Sequence, residues 1–284
     1  MTKKKTKSNI TVIIPVHELT EDTKKSFGIA IGSVRRQEVK PDVVCIVVPK
    51  DSEVETFMAS YDFQLGDTII MTVLNDGETD FCSQVNLGIE KVPTDWFSIL
   101  EYDDEYANIW FKNAVTYIEA YPEVGIFMPM IADVTLQYED AKGETLPEPQ
   151  EQYIGGTNEA VWANQFSDEM GVLDTDALLR YQNFNTDGMV MRKEAVDDFG
   201  GFKPSIKLTF IYEFLLRMTH SGVKTMVIPR IGYKHVNLRN GSLFANYRKA
   251  MDDVESRWWM QKAKKEYFWS EDRKLTYEKV EETD

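Results

Sequence analysis

Trp96-Phe-Ser-Ile-Leu-Glu-Tyr-Asp-Asp-Glu-Tyr106 is the stretch whose reading decides the fold. Its first half, Trp96 to Leu100, is an apolar run of the length of a short buried strand. The run stops abruptly at Glu101, Asp103, Asp104 and Glu105. Carboxylates this close repel one another unless solvent or a cation compensates them. Hard divalent ions such as Mg²⁺ and Mn²⁺ take oxygen ligands, often one or two carboxylates together with substrate phosphates. An acidic tip on a buried strand of an α/β sheet also lies where ligand crevices form. A solvated acidic turn fits the same residues, and the stretch alone leaves both readings open.

Outward from this tip the chain alternates strands and helices. Ile10 to Val16 is β-branched and short, as buried strands are. Helices are expected over Thr23 to Gln37, Ser52 to Ser60 and Ser83 to Val92, with strands over Val43 to Val48 and Thr68 to Leu74 between them. Continuous apolar strands alternating with helices predict an α/β fold, a mixed and mostly parallel sheet covered on both faces. After the tip come a helix over Ala107 to Ala120, a strand over Gly125 to Ile131, and a polar loop or hairpin over Asp133 to Tyr153. A strand at Gly188 to Met191, helices at Lys193 to Asp198 and Ile211 to Ser221, and a strand at Lys224 to Ile228 complete the pattern.

The 284 residues suffice for one large α/β domain. With 47 acidic and 32 basic side chains the net charge is −15, which argues against a nucleic-acid partner, since tracking phosphates needs a basic patch. Cys45 lies in an apolar strand and reads as a small buried hydrophobe; two cysteines give neither a disulfide framework nor a zinc site. No apolar run has transmembrane length, and the first residues lack the apolar core of a secretion signal, so a cytoplasmic protein is expected.

Several motifs in order resemble a family-2-like glycosyltransferase of the GT-A fold, a Rossmann-like architecture. Val12-Ile-Ile-Pro-Val-His17 looks like that family's first strand. Asn75-Asp-Gly77 and Asn86-Leu-Gly88 follow with the spacing seen ahead of its metal motif, and Glu101-Tyr-Asp-Asp104 looks like its D-x-D-D. Met189 to Phe202, ending in Gly-Gly-Phe, resembles the acceptor-side segment, and Tyr212-Glu-Phe-Leu-Leu-Arg217 the helix after it. The resemblance covers residues 10 to about 240. It implies a transferase domain over 9–240, with a donor half to about 104 and an acceptor half from 105, and a helical C-terminal extension over 241–284.

What the resemblance implies is the metal-dependent transfer of a sugar from a nucleotide-diphosphate donor to a hydroxyl of a glycan or other acceptor, with inversion. A divalent cation, Mn²⁺ or Mg²⁺, would stabilise the charge on the departing diphosphate. Asp103 and His235 are then the expected metal ligands, and Pro15, Val16, His17, Glu18, Asn86, Glu101, Tyr102 and Asp104 the donor-binding residues. Two departures stand out. The family's second strand ends in acidic residues that bind the base, whereas Val48-Pro-Lys-Asp-Ser52 leaves Asp51 and Ser52. The family's catalytic Glu-Asp pair, aligned on Arg217, falls on Phe210 and Ile211. Glu213 is the expected base, with Asp187 or a mechanism that does not use this base as the alternatives, and an ion pair to Arg217, one helical turn on, as the competing account of Glu213.

Asp174-Thr-Asp176 repeats the Asp-x-Asp pattern, but its place before Ala-Leu-Leu-Arg predicts a helix cap for Asp174. Trp162 is a candidate acceptor contact, since rings stack on sugar faces, with core packing as the rival role. Phe244, Tyr247, Met251, Val254 and Trp258 step by three and four, an amphipathic stripe expected to pack on the domain rather than on a membrane. A second class of function also fits these departures: a degenerate, non-catalytic sugar-nucleotide or glycan-binding protein. A nucleotidyltransferase would need a glycine-rich basic phosphate loop, and Pro15-Val-His-Glu-Leu19 stands where that loop would lie.

Overall fold

The computed structural model describes residues 8–18, 20–139, 142–158, 170–180 and 185–237. Trp162, the boundary at 240 and the stripe from Phe244 to Trp258 lie outside the described residues. The donor half is built from β1 (Ile10–Pro15), α1 (Glu21–Arg35), β2 (Val43–Pro49), α2 (Glu53–Ser60), β3 (Ile69–Asn75), α3 (Phe81–Lys91) and β4 (Trp96–Ile99). The helices start where the sequence supplies caps. The side chains of Thr20, Ser52 and Asp80 accept hydrogen bonds from the backbone N–H groups of Thr23, Glu55 and Ser83. Each cap satisfies one of the donors that a helix start leaves without an intrahelical partner.

β5 (Glu105–Tyr106), α4 (Trp110–Ala120), β6 (Val124–Glu139), β7 (Thr145–Thr157), β8 (Val172–Leu173) and α5 (Thr175–Arg180) follow. β9 (Val190–Arg192), α6 (Lys193–Phe199), α7 (Phe210–His220) and β10 (Lys224–Asn237) complete the described chain. The strands form one sheet in the order β3-β2-β1-β4-β9-β6-β10-β5, with β7 on β6 and β8 on β10. β3, β2, β1 and β4 pair in parallel. β9 is antiparallel to both β4 and β6, so β6, and β10 parallel to it, run the same way as β4. The ends of β1, β2, β4 and β10 therefore share one edge of the sheet.

Alternate residues of β1 supply two cores, because strand side chains alternate faces. Ile13 packs with Val85 and Ile89 of α3 and Phe214 of α7. Ile10, Val12 and Ile14 pack with Phe27 and Ile31 of α1, Met58 of α2 and Trp110 of α4. Both faces are thus covered, as continuous apolar strands require.

The polar segment Asp133 to Tyr153 takes the hairpin form of the two expected, because β6 continues to Glu139 and β7 returns along it. Two elements differ from the sequence expectation. The helix expected from Ala107 starts at Trp110, since Glu105 and Tyr106 are drawn into pairing with β10. The last strand runs to Asn237 instead of stopping at Ile228, because irregularities between Ile228 and Tyr233 absorb Pro229 and pairing with β6 resumes beyond them. His235 therefore lies inside β10 rather than after a strand.

Candidate active site

The acidic tip is a tight turn closing on β4. Leu100 N–H donates to Ile13 O at 2.9 Å, and Asp104 N–H folds back to Glu101 O at 3.1 Å. The four carboxylates then part company. Glu105 is drawn away into ion pairs with Arg36, at 2.9 Å, and Lys234. Glu101, Asp103 and Asp104 stay together, each offering an oxygen within 4.8 Å of the others. Asp104, only 1% exposed, is the anchor of the group. The Tyr233 hydroxyl donates to its Oδ2 at 3.0 Å and Val236 N–H to its Oδ1 at 2.9 Å. Tyr233 Oη also accepts from Glu101 N–H at 3.3 Å, so β10 grips the tip through one buried phenol.

Gly188 makes room for that phenol. Its φ is +72°, and a Cβ there would come within 2.6 Å of the Tyr233 ring. The Gly188 carbonyl accepts from Trp110 Nε1 at 2.9 Å and from Ser98 Oγ at 3.2 Å. The neighbouring Asp187 is brought to the site by this turn. Asn185 Nδ2 donates to its Oδ2 at 2.7 Å. Asp104, Asp187 and His235 form a second group of ligand atoms within 4.8 Å, so the two groups share Asp104. Their donor chemistry, carboxylate oxygens with one imidazole, suits Mn²⁺ or Mg²⁺.

The electrostatics are those of crowded anions. Burial pushes the Glu101 carboxyl well above the ordinary carboxylate range, with Asp187, Asp104 and Asp103 adding to the effect. Burial and then Asp103 do the same to Asp104. Asp187 is raised by burial against the pull of His235 and its bond from Asn185. His235 goes the other way from a buried imidazole. Burial favours its neutral form, but the bond to Asp133 and the charges of Asp187, Asp104 and Glu101 push it up to about 10. Crowding of this kind is relieved by taking up protons or by a cation.

The rest of the predicted residues divide into those near the tip and those occupied elsewhere. Pro15 and Val16 are buried at the end of β1, and Val16 N–H donates to Val47 O. His17 reaches the tip: its ring lies 5.6 Å from that of Tyr102, and burial lowers its pKa against the opposing charges of Glu18 and Asp103. Glu18 sits 3.9 Å from His17 Nε2. Asp51, with φ +56°, borders an open cleft of about 740 Å³ with Lys24, Ser52 and Phe57. Asn86 is occupied: Phe202 N–H donates to its Oδ1 at 2.9 Å and its Nδ2 donates to Phe202 O at 2.7 Å.

Glu213 is also occupied. It is 4% exposed, and its Oε1 lies 2.9 Å from Arg217 Nε and 2.7 Å from Lys203 Nζ. Arg217 in turn donates to the carbonyls of Phe199, Gly200 and Gly201. Glu213 thus orients the guanidinium that holds the Gly200–Gly201 turn. Burial would raise its pKa, but Arg217 and Lys203 hold it below the usual value. Phe210 and Ile211 line a cavity of about 20 Å³ with Glu101, Asp187 and Tyr233.

Sequence reasoning missed Asp133 and Tyr233. Tyr233 lies two residues before His235, yet only the register of β10 aims it at Asp104. Asp174 caps α5 as expected, accepting from Ala177 N–H at 2.7 Å.

With this geometry in place, solved structures supply the comparison. S. aureus TarS 1–349 in complex with UDP-GlcNAc superposes with a TM-score of 0.57 at 11% identity, over 83% of this chain and 60% of that one. GalNAc-T7 with UDP, GalNAc and Mn²⁺ gives 0.56 at 14% identity, over 82% of this chain and 44% of that one. The fold is GT-A. S. aureus TarS in its longer form gives 0.52 at 11% identity, and the GT-A chain described here covers 36% of it. The GT-A unit described here thus spans between about a third and three fifths of the length of these neighbours. No family model matches the sequence, and no curated protein matches it.

Proposed function

We propose that this chain is a metal-dependent glycosyltransferase that moves a sugar from a nucleotide-diphosphate donor to a hydroxyl acceptor. The observation that carries the reading is the convergence of Glu101, Asp103, Asp104, Asp187 and His235 at the strand-end edge of a GT-A sheet. The neighbours bound to UDP, to UDP-GlcNAc, and to UDP with GalNAc and Mn²⁺ support a uridine-diphosphate sugar as donor. The cleft beside Asp51 and Ser52 takes the base, and His17, Tyr102 and Glu101 flank the diphosphate and sugar.

Asp103, Asp104 and His235 would hold Mn²⁺ or Mg²⁺, which offsets the charge developing on the departing diphosphate. The residues supply the remainder. An inverting displacement needs a base that takes the acceptor proton as the new C1–O bond forms and the bond to the diphosphate breaks. Asp187 is that base in this reading. It borders the small cavity beside Glu101 and Tyr233. Glu213 is committed to Arg217 and Lys203.

One observation favours a second reading, a non-catalytic sugar-nucleotide binder: Phe210 and Ile211, where the resemblance expects a Glu-Asp pair, line the cavity with apolar side chains. A panel of nucleotide sugars with Mn²⁺ or Mg²⁺ separates the two. Metal-dependent donor hydrolysis or transfer that Asp187→Asn reduces by roughly 10²–10⁴-fold supports the enzyme. Metal-dependent thermal shifts without turnover of any donor support the binder.

A further inference from the structure

Asp133 belongs to neither acidic group and has no task in the mechanism above. It lies on β6 in register with His235 on β10. Paired positions of adjacent strands project their side chains to the same face of a sheet. Asp133 Oδ1 accordingly lies 3.2 Å from His235 Nδ1. Its other oxygen accepts a hydrogen bond from Thr157 Oγ1 on β7. Gly155 stands opposite Asp133 in the β6–β7 ladder, so no side chain projects from the position facing the carboxylate. The carboxylate is therefore held at both ends, by the hairpin and by the imidazole.

We propose that Asp133 is a positioning residue that fixes His235 with Nδ1 protonated, leaving Nε2 as the nitrogen that ligates the divalent cation. A histidine ligand commonly donates its second ring N–H to a carboxylate, which sets both the tautomer and the ring orientation. Thr157 extends the arrangement one step, because its hydroxyl stops the Asp133 carboxylate from rotating. The β6–β7 hairpin then serves the metal centre without contributing a ligand. Asp187, whose Oδ2 accepts from Asn185 Nδ2 and lies 4.0 Å from Nδ1, is assigned to the acceptor side and not to the cation.

This inference rests on the metal reading of the site, and the test separates the two. Mn²⁺ binding to the full chain is measured from the free-ion signal in electron paramagnetic resonance. Asp133→Ala should weaken Mn²⁺ binding by roughly 10–100-fold, and Asp133→Asn, which keeps an acceptor for Nδ1–H, should restore most of it. The wild-type protein, loaded with Zn²⁺ as a diamagnetic probe, is then examined by nitrogen-15 correlation spectroscopy, in which three histidines are readily distinguished. His235 should show a protonated Nδ1 and a metal-bound Nε2. Wild-type Mn²⁺ affinity in Asp133→Ala, or metal on Nδ1 in the wild-type spectrum, overturns the proposal while leaving the metal reading intact. No Mn²⁺ binding by the wild-type chain overturns both.

Discussion

Replacing Glu213 by Gln tests whether this carboxylate is a base or a strut. Its Oε1 and Oε2 receive Arg217 at 2.9 and 3.2 Å, and Lys203 Nζ lies 2.7 Å from Oε1. Glu213 is nearly inaccessible, whereas the Lys203 side chain is 50% exposed, so the lysine contact is screened by solvent and contributes little. The Arg217 pair is the larger part. Removing one member of a buried pair costs about 3–5 kcal/mol when a bare charge is left behind. Gln keeps an acceptor, and the three backbone carbonyls still hold Arg217, so about 2 kcal/mol is expected. At about 2–4 °C per kcal/mol for a domain of this size, Tm should fall by roughly 4–8 °C at pH 7. The pH dependence follows from the sign of the shift. The folded carboxyl sits below its ordinary value of 4.5, so its stabilisation is full above that value and lost as pH falls through the lower folded value. The Tm gap between wild type and Glu213→Gln, followed by circular dichroism, should thus narrow below about pH 4.5. Turnover of any donor found active should change little. An unaltered Tm with turnover reduced by roughly 10²–10⁴-fold would refute the strut and make Glu213 the base.

Three further outcomes follow from the same geometry. Asp103→Asn should abolish metal-dependent donor binding, measured by calorimetry, while leaving Tm unchanged or higher, because it relieves repulsion rather than opening a cavity. Tyr233→Phe removes the hydroxyl that joins Asp104 to the Glu101 amide, so a loss of about 1.5–3 kcal/mol in denaturant unfolding is expected, with weaker Mn²⁺ binding. Gly188→Ala drives a Cβ into the Tyr233 ring at a left-handed φ; it should destabilise by more than about 1 kcal/mol, and a wild-type unfolding midpoint would contradict the close packing described.

The two halves of the fold differ in how much of them the sequence disclosed, and the difference has a physical origin. β1, β2 and β4 are parallel strands buried almost throughout, so they read as short apolar runs, and side-chain caps at Thr20, Ser52 and Asp80 start the helices between the strands. The acidic tip was legible because a cluster of carboxylates ending an apolar run is itself a local signal. Of β6, β7 and β10, only the first parts of β6 and β10, Gly125 to Ile131 and Lys224 to Ile228, carry such a local signal. Their outer parts are exposed on one side, and Pro229 interrupts the run that would otherwise announce β10. That half nevertheless decides the chemistry of the site. Tyr233 on Asp104 and His235 on Asp133 are consequences of register across more than a hundred residues, fixed by irregularities between Ile228 and Tyr233. A shift of one residue would turn both side chains to the other face. The same holds for Glu213: its spacing from Arg217 allows both an ion pair and a base, and the contacts that favour the strut, Lys203 and the Gly200–Gly201 carbonyls that hold Arg217, come from tertiary position. Local pattern therefore located the carboxylates of this site, while the roles they take depend on the antiparallel half that holds them.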